Sequence, residues 1–243
     1  MRLAIIGAVL AAAACTSANG NGNGNGNGGQ AGAAGQRSFE VGDFEEVELA
    51  GPHDVIVTVG GAPSVRAEGD AEAIEHLDIR VEGGALRVGT RRDGWLSGAR
   101  HGRATVHVTV PSLRGASIGG SGDMRIDRAE TETFEASIAG SGDLEIGALQ
   151  ARRADFSIAG SGAISASGAA EEADVSIAGS GSARLDALQA RRASVSIMGS
   201  GDVSIQASDA VSGSIMGSGD VTVRGGARCS VRKMGSGDVR CGA

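Results

Sequence analysis

Short segments that alternate apolar and polar residues recur along the second half of the chain, as Phe156-Ser157-Ile158, Val175-Ser176-Ile177 and Val195-Ser196-Ile197. A second set, Leu144-Glu145-Ile146, Val203-Ser204-Ile205 and Val221-Thr222-Val223, shows the same alternation. A period of two over such lengths predicts β-strands with one face buried. Between the two sets lies Gly-Ser-Gly, beginning at Gly120, Gly140, Gly160, Gly179, Gly199, Gly217 and Gly235, so the unit is 18 to 20 residues long. Glycine reaches backbone angles that other residues resist, so each copy predicts a sharp corner. A longer repeat is superposed on this one, because Ala148-Leu149-Gln150-Ala151-Arg152-Arg153-Ala154 returns 39 residues later as Ala187-Leu188-Gln189-Ala190-Arg191-Arg192-Ala193.

Strands on either side of a tight corner can form antiparallel hairpins, or successive units can coil so that equivalent strands stack in parallel. The row Ile138, Ile158, Ile177, Ile197 and Ile215 favours coiling. Identical side chains recur at equivalent positions when they lie above one another at about 4.8 Å, and a meander has no reason to keep such rows. The expectation is an all-β parallel β-helix, a solenoid with rungs of about 20 residues. Residues 114–243 form the regular repeats, and 38–113 form irregular opening rungs and a cap. That opening part holds strand-like Val55-Ile56-Val57-Thr58-Val59, Ala85-Leu86-Arg87-Val88 and Ala104-Thr105-Val106-His107-Val108-Thr109-Val110. In the last unit Lys233 stands where the Ile row would continue, and Cys229 and Cys241 fall where Val211 and Val223 stand one unit earlier. Such a break is what an end cap looks like.

The first 14 residues read as a signal peptide, with Arg2 ahead of a short apolar run ending in small residues. That run is too short for a spanning helix, which needs about 20 residues. Ala12-Ala13-Ala14-Cys15 resembles a bacterial lipobox, with Ala12 where Leu is usual, which implies acylation of Cys15. The next residue is Thr16 rather than the Asp that retains such proteins at the inner membrane, which implies the outer membrane. Residues 15–37 are dominated by Asn, Gly and Ala and cannot bury enough apolar area to fold, so they read as a flexible tether. In an exported, oxidising setting Cys229 and Cys241 make one even pair, and a disulfide between them would staple the last rung.

Composition sharpens the picture. Of 243 residues 42 are Gly, four are Phe, one is Trp and none is Tyr. Rows of small side chains suit a solenoid better than a compact jigsaw core. The net charge of −7 gives no basic face for nucleic acid.

These features together resemble the head GIN domain family of autotransporter adhesins. The resemblance rests on Phe44-Glu45-Glu46-Val47-Glu48-Leu49, Gly51-Pro52-His53-Asp54-Val55, the strand ending in Val110-Pro111-Ser112-Leu113, and the repeated Gly-Ser-Gly-Asp. It spans about residues 38 to 241 and implies a right-handed parallel β-helix exported in bacteria. It carries over no catalytic residue.

The candidate chemistry is sparse. Asp123, Asp143, Asp202, Asp220 and Asp238 follow the corners, with Ala163 and Ser182 in the two middle units. Stacking would bring these carboxylates to about 4.8 Å, where neighbours repel by about 0.9 kcal/mol even in water. Either backbone donors and solvent absorb this, or Ca²⁺, the one cofactor the sequence suggests, sits between rungs. Arg152, Arg153, Arg191 and Arg192 could face a carboxylated sugar or serve as solvated charge. Trp95 could be a binding handle or pack over an open end, and His53, His76, His101 and His107 show no metal-ligand spacing. The expected function is a non-enzymatic, lipid-anchored envelope protein whose solenoid surface makes adhesion or scaffold contacts. Its partners are the membrane, an envelope protein or glycan, or a second copy. The alternatives are a carbohydrate-binding or polysaccharide-cleaving β-helix and a Ca²⁺-dependent surface module.

Overall fold

The computed structural model describes residues 34–91 and 102–242. The signal peptide, Cys15, Trp95 and His101 lie outside the described residues. In chain order the opening region holds β1 (Ala34–Phe39), β2 (Glu46–Gly51), β3 (Asp54–Val59), β4 (Ser64–Asp70), the short helix α1 (Ala71–Glu75), β5 (Leu77–Glu82), β6 (Ala85–Thr90) and β7 (Ala104–Val110). The repeats give β8 (Gly115–Gly120), β9 (Met124–Ile126), β10 (Ala129–Gly140), β11 (Asp143–Gly160), β12 (Ala163–Gly179), β13 (Ser182–Gly199) and β14 (Asp202–Gly217). They close with β15 (Val221–Arg224), β16 (Arg228–Gly235) and β17 (Val239–Cys241).

The repeats stack in parallel as a β-solenoid. Ile118, Ile138, Ile158, Ile177, Ile197 and Ile215 meet in register as one column, which Lys233 ends. Within β11 the inward side chains are Leu144, Ile146, Leu149, Ala154, Phe156 and Ile158. Their spacing is two within a straight segment and breaks after Ile146 and Leu149, so each coil turns between straight stretches. Differences in unit length are absorbed away from the Gly-Ser-Gly corner. Between β13 and β14 the register shifts after Leu185 and after Ala190, and the corner glycines Gly199 and Gly217 still align.

Between β10 and β11 the core trades volume from one position to the next. Phe134 lies over Ala154 while Ala136 lies over Phe156, so each of these rungs places one aromatic and one methyl in the same space. Farther along, Ala193 and Val195 face Val211 and Gly213. A Cβ on Gly213 would come within 2.0 Å of the Val195 carbonyl oxygen, so this one position takes no side chain. Trading large for small between stacked neighbours lets both rungs fill the same space.

Stacking order departs from chain order in the opening region. The β2–β3 rung lies directly beneath the first repeat, with Leu49 opposite Ile118 and Val57 opposite Ile126. On its other side it pairs with β6 and β7, Leu49 opposite Val88 and Val57 opposite Val108. The chain therefore lays down β2 and β3 first and returns below them with β6 and β7. Antiparallel pairing of β5 with β6, β4 with β7 and β1 with β4 closes that end. Helix α1 starts there at Asp70, whose side chain accepts from the Ala73 N–H. The first strand opens at Ala34, inside the stretch 15–37 read as tether. Its Gly35 and Gln36 pair through backbone groups opposite Gly69 and Glu68, which needs no apolar side chain.

Candidate functional site

Each Gly-Ser-Gly corner is built by backbone contacts with the rung below. The Ser141 and Ser161 amides donate to the carbonyls of Gly120 and Gly140 at 2.8 and 2.9 Å. Gly140 has φ of +150°, and a Cβ there would lie 2.1 Å from the Gly120 carbonyl oxygen. The repeated Gly thus reports close approach of neighbouring backbones.

The aspartates after the corners form a column along one edge. Asp123 Oδ1 accepts from the Asp143 N–H at 2.9 Å, and Asp143 Oδ1 from the Ala163 N–H at 2.9 Å. Asp202 serves the Asp220 amide at 3.0 Å, and Asp220 serves that of Asp238 at 2.8 Å. In the middle rungs, where Ala163 and Ser182 carry no carboxylate, the amides of Ser182 and Asp202 turn instead to the carbonyls of Gly162 and Gly181, at 3.1 and 3.2 Å. The column therefore satisfies the first amide of the next rung, the backbone-donor role for a turn aspartate. Asp238, at the end, lies 3.4 Å from Arg240 and 3.8 Å from Lys233. Among the described residues, no three His, Cys, Asp or Glu side chains are grouped so as to hold a metal ion.

One member of this column is not evident from the Gly-Ser-Gly repeat. Asp54 Oδ1 accepts from the Asp123 N–H at 3.2 Å, and Gly51 stands in register with Gly120. Gly51-Pro52-His53-Asp54 is thus the corner of the β2–β3 rung, and the shared Gly-x-x-Asp spacing is the signal that marks it. His53 is buried there, its Nε2 3.0 Å from Thr90 Oγ1 and its Nδ1 accepting from the Ala104 N–H at 3.4 Å.

The four arginines read as possible sugar ligands lie on the coil's outer surface, and three of them are paired. Arg153 contacts Asp155, Glu172 and Asp174, Arg192 contacts Glu172, and Arg191 lies 3.1 Å from Asp209. Arg153, Glu172 and Arg192 share one column on successive rungs, so opposite charges alternate along it. The Arg192 guanidinium, donating to Glu172, holds that carboxyl below its ordinary value. Burial pushes Asp174 up, against the pull of Arg153.

The grooves are open and edged by charged side chains. One of about 600 Å³ at the opening end is bordered by Glu48, Asp78, Arg80, Arg87, Thr90 and Arg91. Its cations are engaged, Arg80 with Asp78 and Glu82, and Arg87 with Glu48 at 2.8 Å. Another, of about 450 Å³, runs along the aspartate edge past Arg125, Glu145 and Arg184. Arg125 donates to Glu145 at 2.8 Å across neighbouring rungs. At the closing end Cys229 and Cys241 stand in the Val211 and Val223 columns and are joined by a disulfide, with Cα atoms 6.4 Å apart.

A family profile described as "Putative auto-transporter adhesin, head GIN domain" matches residues 43–227. No curated protein sequence matches the chain. Among solved structures, a "putative adhesin" from Bacteroides fragilis NCTC 9343 superposes with a TM-score of 0.77 at 20% identity, covering 86% of this chain and 97% of that one. A "putative lipid binding protein" from Parabacteroides distasonis ATCC 8503 gives 0.69 at 24% identity, covering 86% and 97%. A "putative adhesin" from Parabacteroides merdae ATCC 43184 gives 0.69 at 20%, covering 86% and 96%. At these identities the likeness is one of fold.

Proposed function

The chain belongs to the head GIN domain family, and from that premise we propose that it is a non-catalytic, lipid-anchored envelope protein that makes adhesion or scaffold contacts through the outer face of its solenoid. The observation that carries this reading is an outward column of hydroxyls. Ser117, Ser137, Ser157, Ser176, Ser196 and Ser214 stand in register on successive rungs of one strand face. From Ser137 onward these serines are exposed. A rigid face that repeats every 4.8 Å or so suits an extended or repetitive partner, because one contact is copied at each rung with little left to order on binding.

Several features support a role without catalysis. The aspartates serve backbone amides, and Arg80, Arg87 and Arg125 along the grooves are bound to neighbouring carboxylates. The family's description as an auto-transporter adhesin supports placement at the cell surface. The leader at 1–14 and Thr16 after Cys15 support export to the outer membrane, with the lipid on Cys15 as the anchor.

Two measurements test the reading. Cys15→Ser should move the mature protein from the membrane fraction to the soluble one, and its retention in the membrane would remove the anchor from the account. Purified protein should capture an envelope protein or glycan, and Ser157→Arg with Ser176→Arg should abolish capture while the far-UV circular dichroism stays unchanged. Release of a sugar product from any captured glycan would overturn the non-catalytic reading.

A further inference from the structure

The residue just before each corner stands in a column that changes character along the solenoid. Ala139, Ala159 and Ala178 occupy it in the middle rungs, and Met198, Met216 and Met234 follow in register on the last three. These methionines are 53%, 49% and 73% exposed, and among the described residues they are the large apolar side chains left to solvent. Packing does not explain them. A side chain about half in water gains little from burial, and the same position is served by Ala in the preceding rungs.

The strip is also the wrong shape for docking a protein. Along the chain the methionines are flanked by Ser196, Ser214 and Arg232 on one side and by the corner serines Ser200, Ser218 and Ser236 on the other. It is one residue wide and three rungs long, far short of the roughly 800 Å² per partner of a stable protein interface. What distinguishes Met from Leu or Ile here is the donor atom. Three thioether sulfurs hang from adjacent parallel strands about 4.8 Å apart, each on a side chain with three rotatable bonds. The outer two can lean toward Met216 and converge. Thioethers are soft, uncharged ligands that select Cu(I) over Mg²⁺, Ca²⁺ or Mn²⁺.

We propose that Met198, Met216 and Met234 form a surface site for one soft monovalent cation of the Cu(I) and Ag(I) class. The three sulfurs supply the ligand set, and the register of the solenoid holds their backbones at a fixed spacing. Because thioethers carry no proton near neutral pH, binding displaces none and does not change between pH 5.5 and 7.5, unlike a site built on Cys or His.

The test uses Ag(I), which needs no reductant and so leaves the Cys229–Cys241 disulfide intact. The full chain carrying Cys15→Ser is titrated with silver nitrate in chloride-free buffer, followed by calorimetry and by NMR of ¹³C-methyl methionine. One ion should bind per chain and shift the Met198, Met216 and Met234 methyl signals together, while buried Met124 stays in place. Met216→Leu, which keeps the strip apolar, should weaken binding at least tenfold. Met216→Ala, which restores the residue of the preceding rungs, should do the same and guards against misfolding of the first variant. Absence of binding, a shift of one methionine alone, or affinity unchanged in both variants would overturn the site. If the strip captured an apolar partner equally well with Leu while ignoring Ag(I), that would also overturn it in favour of a docking role.

Discussion

At the scale of single residues, the Gly-Ser-Gly-Asp motif divides into parts with different costs. Gly140 places its α-carbon where a side chain would strike the Gly120 carbonyl, at a backbone angle that other residues rarely adopt. Gly140→Ala should therefore destabilise the protein by about 3 kcal/mol or more, combining backbone strain with separation of two rungs. Asp143 donates nothing to the core and satisfies one amide, that of Ala163. In the middle rungs the equivalent amide finds a glycine carbonyl instead, as Ser182 does with Gly162. Asp143→Ala should then cost only about 0.5–1 kcal/mol, since an alternative acceptor lies beside the lost one. Urea unfolding of both variants checks the contrast, and comparable losses would mean that the aspartate column holds more than single amides. The glycines were legible in the sequence because a constraint on backbone contact recurs at every rung. The partner of each aspartate was not, because a carboxylate facing a backbone N–H leaves no second conserved letter to read.

At the scale of elements, the isoleucine column was legible for a physical reason. Parallel stacking in register places like side chains in contact, so the same letter is favoured at each turn of the coil. The order of the opening rungs left no such trace. Strands β2 and β3 lie between β6–β7 and the first repeat, and the pairs Leu49–Val88 and Leu49–Ile118 join residues 39 and 69 apart in the chain. Apolar alternation marks each of these strands without saying which neighbour it meets. The closing element behaves as a local cap. Cys229 and Cys241 occupy columns that hold Val211 and Val223 one rung below, and the Lys233 ammonium donates to the Gly237 carbonyl at 2.6 Å. Replacing both cysteines by Val keeps the column's packing and removes only the crosslink, whose closure of 12 residues contributes about 3 kcal/mol in the chain-entropy picture. In a stack where each rung contacts only its neighbours, that loss should stay local. Hydrogen exchange should show amides of residues 228–241 losing protection while those of β11 and β12 keep theirs. Equal loss in β11 would show that the cap governs the whole stack.

At the scale of the whole molecule, the solenoid is a sum of rungs, and the 39-residue repeat marks where it can be cut. Leu149 and Leu188 occupy one column, each meeting Gly168 from opposite sides. Deleting residues 149–187 joins Ala148 to Leu188 and removes two rungs. The shortened chain then sets Leu188 over Ala129, Ala193 over Phe134, Val195 over Ala136 and Ile197 over Ile138, where Leu149, Ala154, Phe156 and Ile158 stood before. Among the buried positions only that of Phe156 changes size, to Val, the residue that already follows it in this column at Val175 and Val195. The corners at Gly160 and Gly179 leave with the two deleted rungs, Asp202 takes the place of Ala163 opposite Asp143, and the end cap is untouched. This variant should remain folded and unfold cooperatively. Its urea m-value should fall roughly in proportion to the surface it no longer buries, by about a fifth for 39 of the 199 described residues. An unfolded or molten deletion variant would show that stability depends on contacts beyond adjacent rungs. A folded one would also shorten the serine face while leaving the three methionines in place, so partner capture and Ag(I) binding could be separated in a single molecule.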